Sequence, residues 1–202
     1  TTAYADAQLG RVLDALDKSP HRDNTVVVFL TDHGFHLAEK HHWQKATLWE
    51  EATHCLLMIR APGVTPADGA VCRRYVSLLD IYPTLVALAG LPQPESPLAG
   101  MDLAAVLAGS EPPREAALSQ SWSAAHLTRP EWRGMEIMGY SIRTLRFRYT
   151  EWGGGEYGVE LYDYREDPAE LNNLAGKAGY ENVSRQMKLL LDARQKAAGQ
   201  GQ

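Results

Sequence analysis

From Thr25 to Arg60 the chain reads TVVVFLTDHGFHLAEKHHWQKATLWEEATHCLLMIR, and the rest of the sequence is read outward from here. Val26 to Leu30 is an unbroken apolar run rich in β-branched side chains. Such a run suits a strand buried on both faces, as in a parallel sheet covered by helices. It stops at Thr31-Asp32-His33-Gly34, which puts a carboxylate and an imidazole where the strand ends and the chain turns. Open α/β sheets hold their ligands just beyond the carboxyl ends of their strands. A second apolar run, Leu56 to Ile59, ends at Arg60-Ala61-Pro62-Gly63. The loop between the runs is polar, aromatic and rich in histidine, and it carries Lys45. Asp32, His33 and Lys45 form the expected chemical centre.

Upstream, residues 3–17 have Leu9, Val12, Leu13 and Leu16 at helical spacing, so they read as an amphipathic helix closed by Ser19-Pro20. Downstream, Ser77 to Leu91 reads as a second helix, with Asp80 as N-cap, Pro83 in the first turn and Gly90 at the stop. A short helix follows at Asp102 to Leu107. The polar, proline-rich Gly109-Ser110-Glu111-Pro112-Pro113 marks the expected boundary between a first domain, 1–110, and a second, 111–202. Met138 to Trp152 and Val159 to Tyr164 flank a triple glycine and read as hairpin strands, and 181–198 as a closing helix. The fold expected is α/β: part of a helix-covered sheet, then a small α+β unit with an antiparallel sheet.

Composition excludes several classes. The 202 residues are 45% hydrophobic and 22% charged, as in ordinary globular proteins. A net charge of -5 gives no electrostatic reason to expect nucleic acid. Two cysteines, Cys55 and Cys72, are too few for a disulfide framework, and Cys55 beside an apolar run reads as a buried thiol. No apolar segment approaches the roughly 20 residues that cross a bilayer. The start, Thr-Thr-Ala-Tyr, reads as the middle of a longer protein, so localisation is not fixed.

A resemblance rests on residues spread along the chain. Thr31-Asp32-His33-Gly34-Phe35-His36-Leu37, His42-Trp43-Gln44-Lys45, Leu48-Trp49-Glu50-Glu51-Ala52-Thr53 and Ile59-Arg60-Ala61-Pro62-Gly63 resemble the second half of a sulfatase. They are most similar to the iduronate-2-sulfatase-like branch of the alkaline phosphatase superfamily. Tyr4 to Leu13, Ser77 to Leu85, Glu160 to Tyr164 and Asp167-Pro168 extend the likeness over nearly the whole chain. It implies the C-terminal part of an alkaline phosphatase-like sheet, followed by the family's small C-terminal subdomain. It also implies that Asp32 and His33 help hold a divalent metal. That metal is calcium in most sulfatases, while a nitrogen ligand at His33 also suits zinc, with manganese and magnesium as further candidates. Lys45 would set its ammonium against the sulfate.

Other residues divide between chemical and structural readings. His36, three residues after His33, is a candidate substrate contact or proton donor, a role the family does not fix. His36, His41 and His42 match no closed zinc site in spacing. His54 and Cys55 read as packing residues. Arg143, Arg146 and Arg148 read as the solvated face of an antiparallel sheet, or else as a basic rim for anions. Trp122, Trp132 and Trp152 are candidates for a sugar cleft.

Sulfatases use a formylglycine made from the first residue of Cys/Ser-x-Pro/Ala-x-Arg. Neither Cys55, Cys72, Ser96 nor Ser110 is taken as its start, so the nucleophile is expected upstream of this chain, with further metal ligands. The isolated chain is then expected to be inactive and prone to self-association. The activity implied is hydrolysis of sulfate esters of a sulfated small molecule or glycan, in concert with the missing N-terminal half. The alternatives are a phosphonate or phosphate ester hydrolase of the same superfamily, or a non-catalytic binding or assembly remnant. The resemblance also points to a periplasmic, extracellular or lysosomal setting, where the family is often found.

Overall fold

The computed structural model describes residues 1–67, 69–110, 115–122 and 137–199. The expected first helix is α1, Thr2–Asp17. None of its residues is buried; Leu9 and Leu16 are half-buried, and Val12 and Leu13 stand exposed. The apolar run becomes β1 (Val27–Leu30) and the second run becomes β4 (Leu57–Arg60). Here the structure corrects the sequence reading. The two strands pair antiparallel, Val27 with Arg60 and Leu30 with Leu57, as a two-stranded sheet. Phe29, Leu30 and Met58 also stand exposed rather than buried on both faces. An apolar run reports a preference for burial, but not the direction of the partner strand or what covers it.

Between β1 and β4 lie a two-stranded ribbon, β2 (His36–Leu37) with β3 (Trp43–Gln44), and the one-turn helix α2 (Glu50–Thr53). The second long helix is α3, Ile81–Leu88, preceded by a 3-10 turn over Leu78–Asp80. Ser77 rather than Asp80 supplies the capping hydroxyl. The buried Asp80 carboxylate instead accepts from the Ser77 amide (2.7 Å) and the Met101 amide (2.8 Å). This completes a capping box and ties the helix start to the chain before α4 (Ala104–Leu107). The expected boundary at residues 111–113 lies outside the described residues, as does Trp132.

The C-terminal part is a four-stranded antiparallel meander: β5 (Ala117–Trp122), β6 (Met138–Arg143), β7 (Phe147–Trp152) and β8 (Val159–Asp163). Gly153 and Gly154, both at positive φ, turn the chain between β7 and β8. One face packs on α5, Glu181–Gly199, through Ile142, Tyr149, Leu161, Met187 and Leu191. The opposite face is covered by the segment just after Lys45, where Leu48 packs with Ile137 and Trp152. Trp152 is therefore core, not cleft lining, while Trp122 stands exposed on the edge strand. The same cover overturns the solvated-face reading for Arg143 and Arg148, whose side chains are 11% and 2% exposed. Arg146, beyond the strand end, stays at the surface and pairs with Asp163 (2.6 Å). Both cysteines are free, with Cys55 only half-buried.

Candidate functional site at the end of the first strand

The site begins where β1 ends. Thr31 locks the strand end to β4: its amide donates to the Leu56 carbonyl and its hydroxyl accepts from the Leu56 amide, both at 3.0 Å. Asp32 then accepts from the His33 amide (3.0 Å), and its carboxylate is otherwise directed to solvent. The turn can only be made by glycine. A Cβ on Gly34 would fall 1.8 Å from the Glu51 carbonyl oxygen, because the Gly34 amide donates to Ala52 (2.9 Å) and pulls the turn against α2. The His33 Nδ1 lies 2.7 Å from the Gly34 carbonyl, so it carries the hydrogen and donates. Nε2 is left with its lone pair, 2.9 Å from Lys45 Nζ and 3.5 Å from Asp32 Oδ2. Three residues picked out in the sequence thus meet in one cluster.

His36 is placed differently. It is wholly buried, its Nε2 at 2.7 Å from the Thr47 hydroxyl, its ring edge-on to His42 and Trp49. Burial lowers its pKa despite the opposing charge of Glu51, which favours the neutral ring. Its contacts are with Thr47, His42 and Trp49. His54 is an exposed side chain paired with Glu50 (3.4 Å), not a packing residue.

A buried network around Arg148 and Glu170, whose role the sequence reading did not find, fixes the loop from below. Arg148 donates to the Leu48 carbonyl (2.9 Å) and pairs with Glu170 (2.5 Å) and Glu50. Glu170, itself buried, accepts from the Glu50 amide (3.0 Å) and the Tyr164 hydroxyl. Burial acts to raise the Glu50 pKa, but Arg148 and Arg143 outweigh it and hold the carboxyl below its ordinary range. The available signal was the inward register of Arg148 on β7, next to Tyr149, which faces α5.

The donors can be tested against a metal. A carboxylate oxygen and an imidazole nitrogen suit a divalent cation, but Lys45 Nζ lies 2.9 Å from that nitrogen. Among the described residues, though, no three His, Cys, Asp or Glu side chains converge to hold one. Asp32 and His33 offer two donors, well short of the roughly six to eight that calcium takes. One sequence reading also needs amending. Ser110-Glu111-Pro112-Pro113-Arg114 does spell Ser-x-Pro-x-Arg. Ser110, however, lies just beyond α4, its amide donating to the Ala105 carbonyl (2.9 Å), and lines a concavity with Cys72, Arg73, Val106 and Leu145 that includes none of Asp32, His33 or Lys45.

Comparison with known proteins bears on this geometry. The sulfatase family profile matches residues 1–91, the part that carries the cluster. N-acetylglucosamine-6-O-sulfatase of Bacteroides thetaiotaomicron is 32% identical over 97% of this chain and 34% of its own length. Iduronate 2-sulfatase of Mus musculus is 29% identical over 86% of this chain and 42% of its own. This chain belongs to the sulfatase family. Among solved structures, a protein in complex with its substrate D-glucosamine-2-N,6-O-disulfate superposes with a TM-score of 0.82. It is 29% identical and covers 99% of this chain and 40% of that one. The phosphonate monoester hydrolase of Agrobacterium radiobacter reaches 0.81 at 30% identity, over 97% and 40%. This sulfatase-family chain therefore has the alkaline phosphatase-like fold, and it spans less than half the length of these relatives.

Proposed function

We propose that this chain is the C-terminal portion of a sulfatase that hydrolyses sulfate esters of sulfated sugars or glycans, with its nucleophile, a formylglycine, on an upstream segment. One observation carries the reading: Lys45 Nζ, His33 Nε2 and the Asp32 carboxylate meet at the end of β1, 2.9 and 3.5 Å apart. In this reading Lys45 sets a positive charge against the sulfate group, where it offsets the charge that develops on the transferring oxygens. Asp32 and His33 hold part of the shell of a divalent metal, calcium first, with ligands supplied from elsewhere; when bound, the metal polarises the sulfate oxygens as a Lewis acid. The Gly34–Ala52 bond and the His33–Gly34 bond fix the two ligands on the turn. The cluster is open to water, with Asp32 82% exposed, so its charges are screened until another segment covers it.

The full-length protein tests this. Lys45→Ala lowers kcat/KM for a 6-O-sulfated glucosamine about 100- to 1,000-fold. An unchanged rate removes Lys45 from the site. Sustained, metal-dependent turnover by the isolated 202 residues would overturn the assignment of the nucleophile to an upstream segment. The likeness to a phosphonate monoester hydrolase favours a second reading, hydrolysis of phosphonate or phosphate esters. A higher kcat/KM for phenyl phosphonate monoesters than for sulfated sugars would select it.

A further inference from the structure

Lys45 sits in a backbone that does not hold its shape unaided. Among the described residues, six other than glycine have positive φ. Five of them, Ala38, Lys40, His41, Gln44 and Ala46, fall within one short loop, and the sixth is Glu170. Side chains with a Cβ adopt this region at a cost, so the surroundings must hold each one in place. Lys45 stands between two of the strained positions, Gln44 and Ala46.

The surroundings that do so converge on Glu170. Lys40 leaves the loop with its Nζ 4.4 Å from the centre of the Trp49 ring and 4.6 Å from that of Tyr162. Its ammonium donates to the Glu170 carbonyl. Both rings are pinned by one carboxylate, since Trp49 Nε1 (2.9 Å) and the Tyr162 hydroxyl (3.0 Å) donate to Glu160 Oε2. At the far end of the loop the Glu50 amide donates to the Glu170 carboxylate (3.0 Å), which Arg148 holds in turn. The loop is stapled to one residue at Lys40 and again at Glu50, and Lys45 is midway between. Burial lowers the Lys40 pKa, with Glu170 the largest opposing charge. A partly desolvated ammonium over two π-faces is where a cation–π contact is strongest.

We propose that Lys40 is a positioning residue: clamped between Trp49 and Tyr162 on Glu170, it holds the strained loop in the shape that brings Lys45 to His33. This rests on the reading of Lys45 as the sulfate-facing cation. It predicts that Lys40 acts on catalysis through Lys45 and without touching substrate.

The test uses the full-length protein with Lys40→Met, which keeps the stem and removes the charge, and Lys40→Arg, which keeps a cation over the rings. Each is made with Lys45 intact and with Lys45→Met. Two quantities are read: kcat/KM for a sulfated glucosamine, and amide hydrogen exchange of residues 41–46 against β6 and β7. Lys40→Met lowers kcat/KM about ten- to 100-fold when Lys45 is present, as expected for a misplaced catalytic group. Lys40→Arg retains most of the rate, and Lys40→Met has no further effect once Lys45 is gone. Exchange over 41–46 rises about tenfold or more in Lys40→Met while β6 and β7 are unchanged. An equal loss in both Lys45 backgrounds, or no rescue by arginine, overturns the proposal in favour of general destabilisation. Unchanged exchange over 41–46 overturns it whatever the rate. If the unaltered protein turns over no sulfate ester, it is the sulfatase reading that fails, and the exchange data alone decide the clamp.

Discussion

Arg148→Met takes a guanidinium out of a position only 2% exposed and leaves its partners behind. The side chain fills the space about as well, so the loss is electrostatic. Glu170, 1% exposed, loses its 2.5 Å partner, and the Leu48 carbonyl loses a donor at 2.9 Å. Glu50 is less affected, being 27% exposed and still 3.3 Å from Arg143. Removing one partner of a buried pair costs about 3–5 kcal/mol. That is a large share of the roughly 5–15 kcal/mol of a typical domain. The pH dependence separates this cause from lost packing. In the native chain the Glu50 carboxyl lies below its ordinary range because the two arginines outweigh burial. Its stabilisation is therefore complete above the unfolded value, about 4.3, and fades as pH falls through the lower folded value. Without Arg148, burial has only Arg143 against it, so much of that stabilisation is absent at any pH. The gap between native and variant is then widest near pH 7 and narrows below about pH 4. Urea unfolding followed by tryptophan fluorescence at both pH values measures it. A loss under about 1 kcal/mol at neutral pH, or one equally large in acid, refutes the reasoning.

Two further outcomes follow from the same face and its edge. Gly139→Ala drives a Cβ to within 2.4–2.8 Å of the Trp152 ring and Leu48 Cδ1, so it destabilises by about 1–3 kcal/mol and shifts the Trp152 emission; unchanged unfolding would show that this layer yields freely. The Arg146 hydrogen bonds, against the opposing effect of burial, hold the Asp163 carboxyl below its ordinary value. Its contribution is thus present above about pH 4 and lost as pH falls further. Asp163→Asn should flatten the acid limb of the stability profile, and an identical limb in both proteins would rule Asp163 out as its source.

Much of the fold was legible because local chemistry dictated it. Helical spacing of apolar residues marked α1, α3 and α5, and Gly153–Gly155 between two β-rich runs marked the β7–β8 hairpin. The edge strand β5 escaped notice because Ala-Leu-Ser-Gln-Ser-Trp is mostly small or polar, and its strand character comes from pairing with β6. In the site, Asp32, His33 and Lys45 were found because the residue types and their order resemble a family's pattern. His36 was read from chain proximity to His33, a signal that says nothing of burial, and its ring is packed onto Thr47.

The sequence by itself determined the helices α1, α3 and α5 and the β7–β8 hairpin, and it placed a glycine directly after Asp32 and His33. It also determined that the chain carries the order of residues found in the second half of a sulfatase. Those are matters of local sterics, periodicity and residue identity. Only the tertiary structure decided that β1 and β4 run antiparallel, that Arg148 lies buried under the loop, and that Lys40 and Glu50 meet at Glu170 across 130 and 120 residues of chain. The reason is physical. Burial of a charge and the strain of a left-handed loop are favourable only when partners distant in sequence are already in place, and no local pattern of side chains encodes where those partners will be.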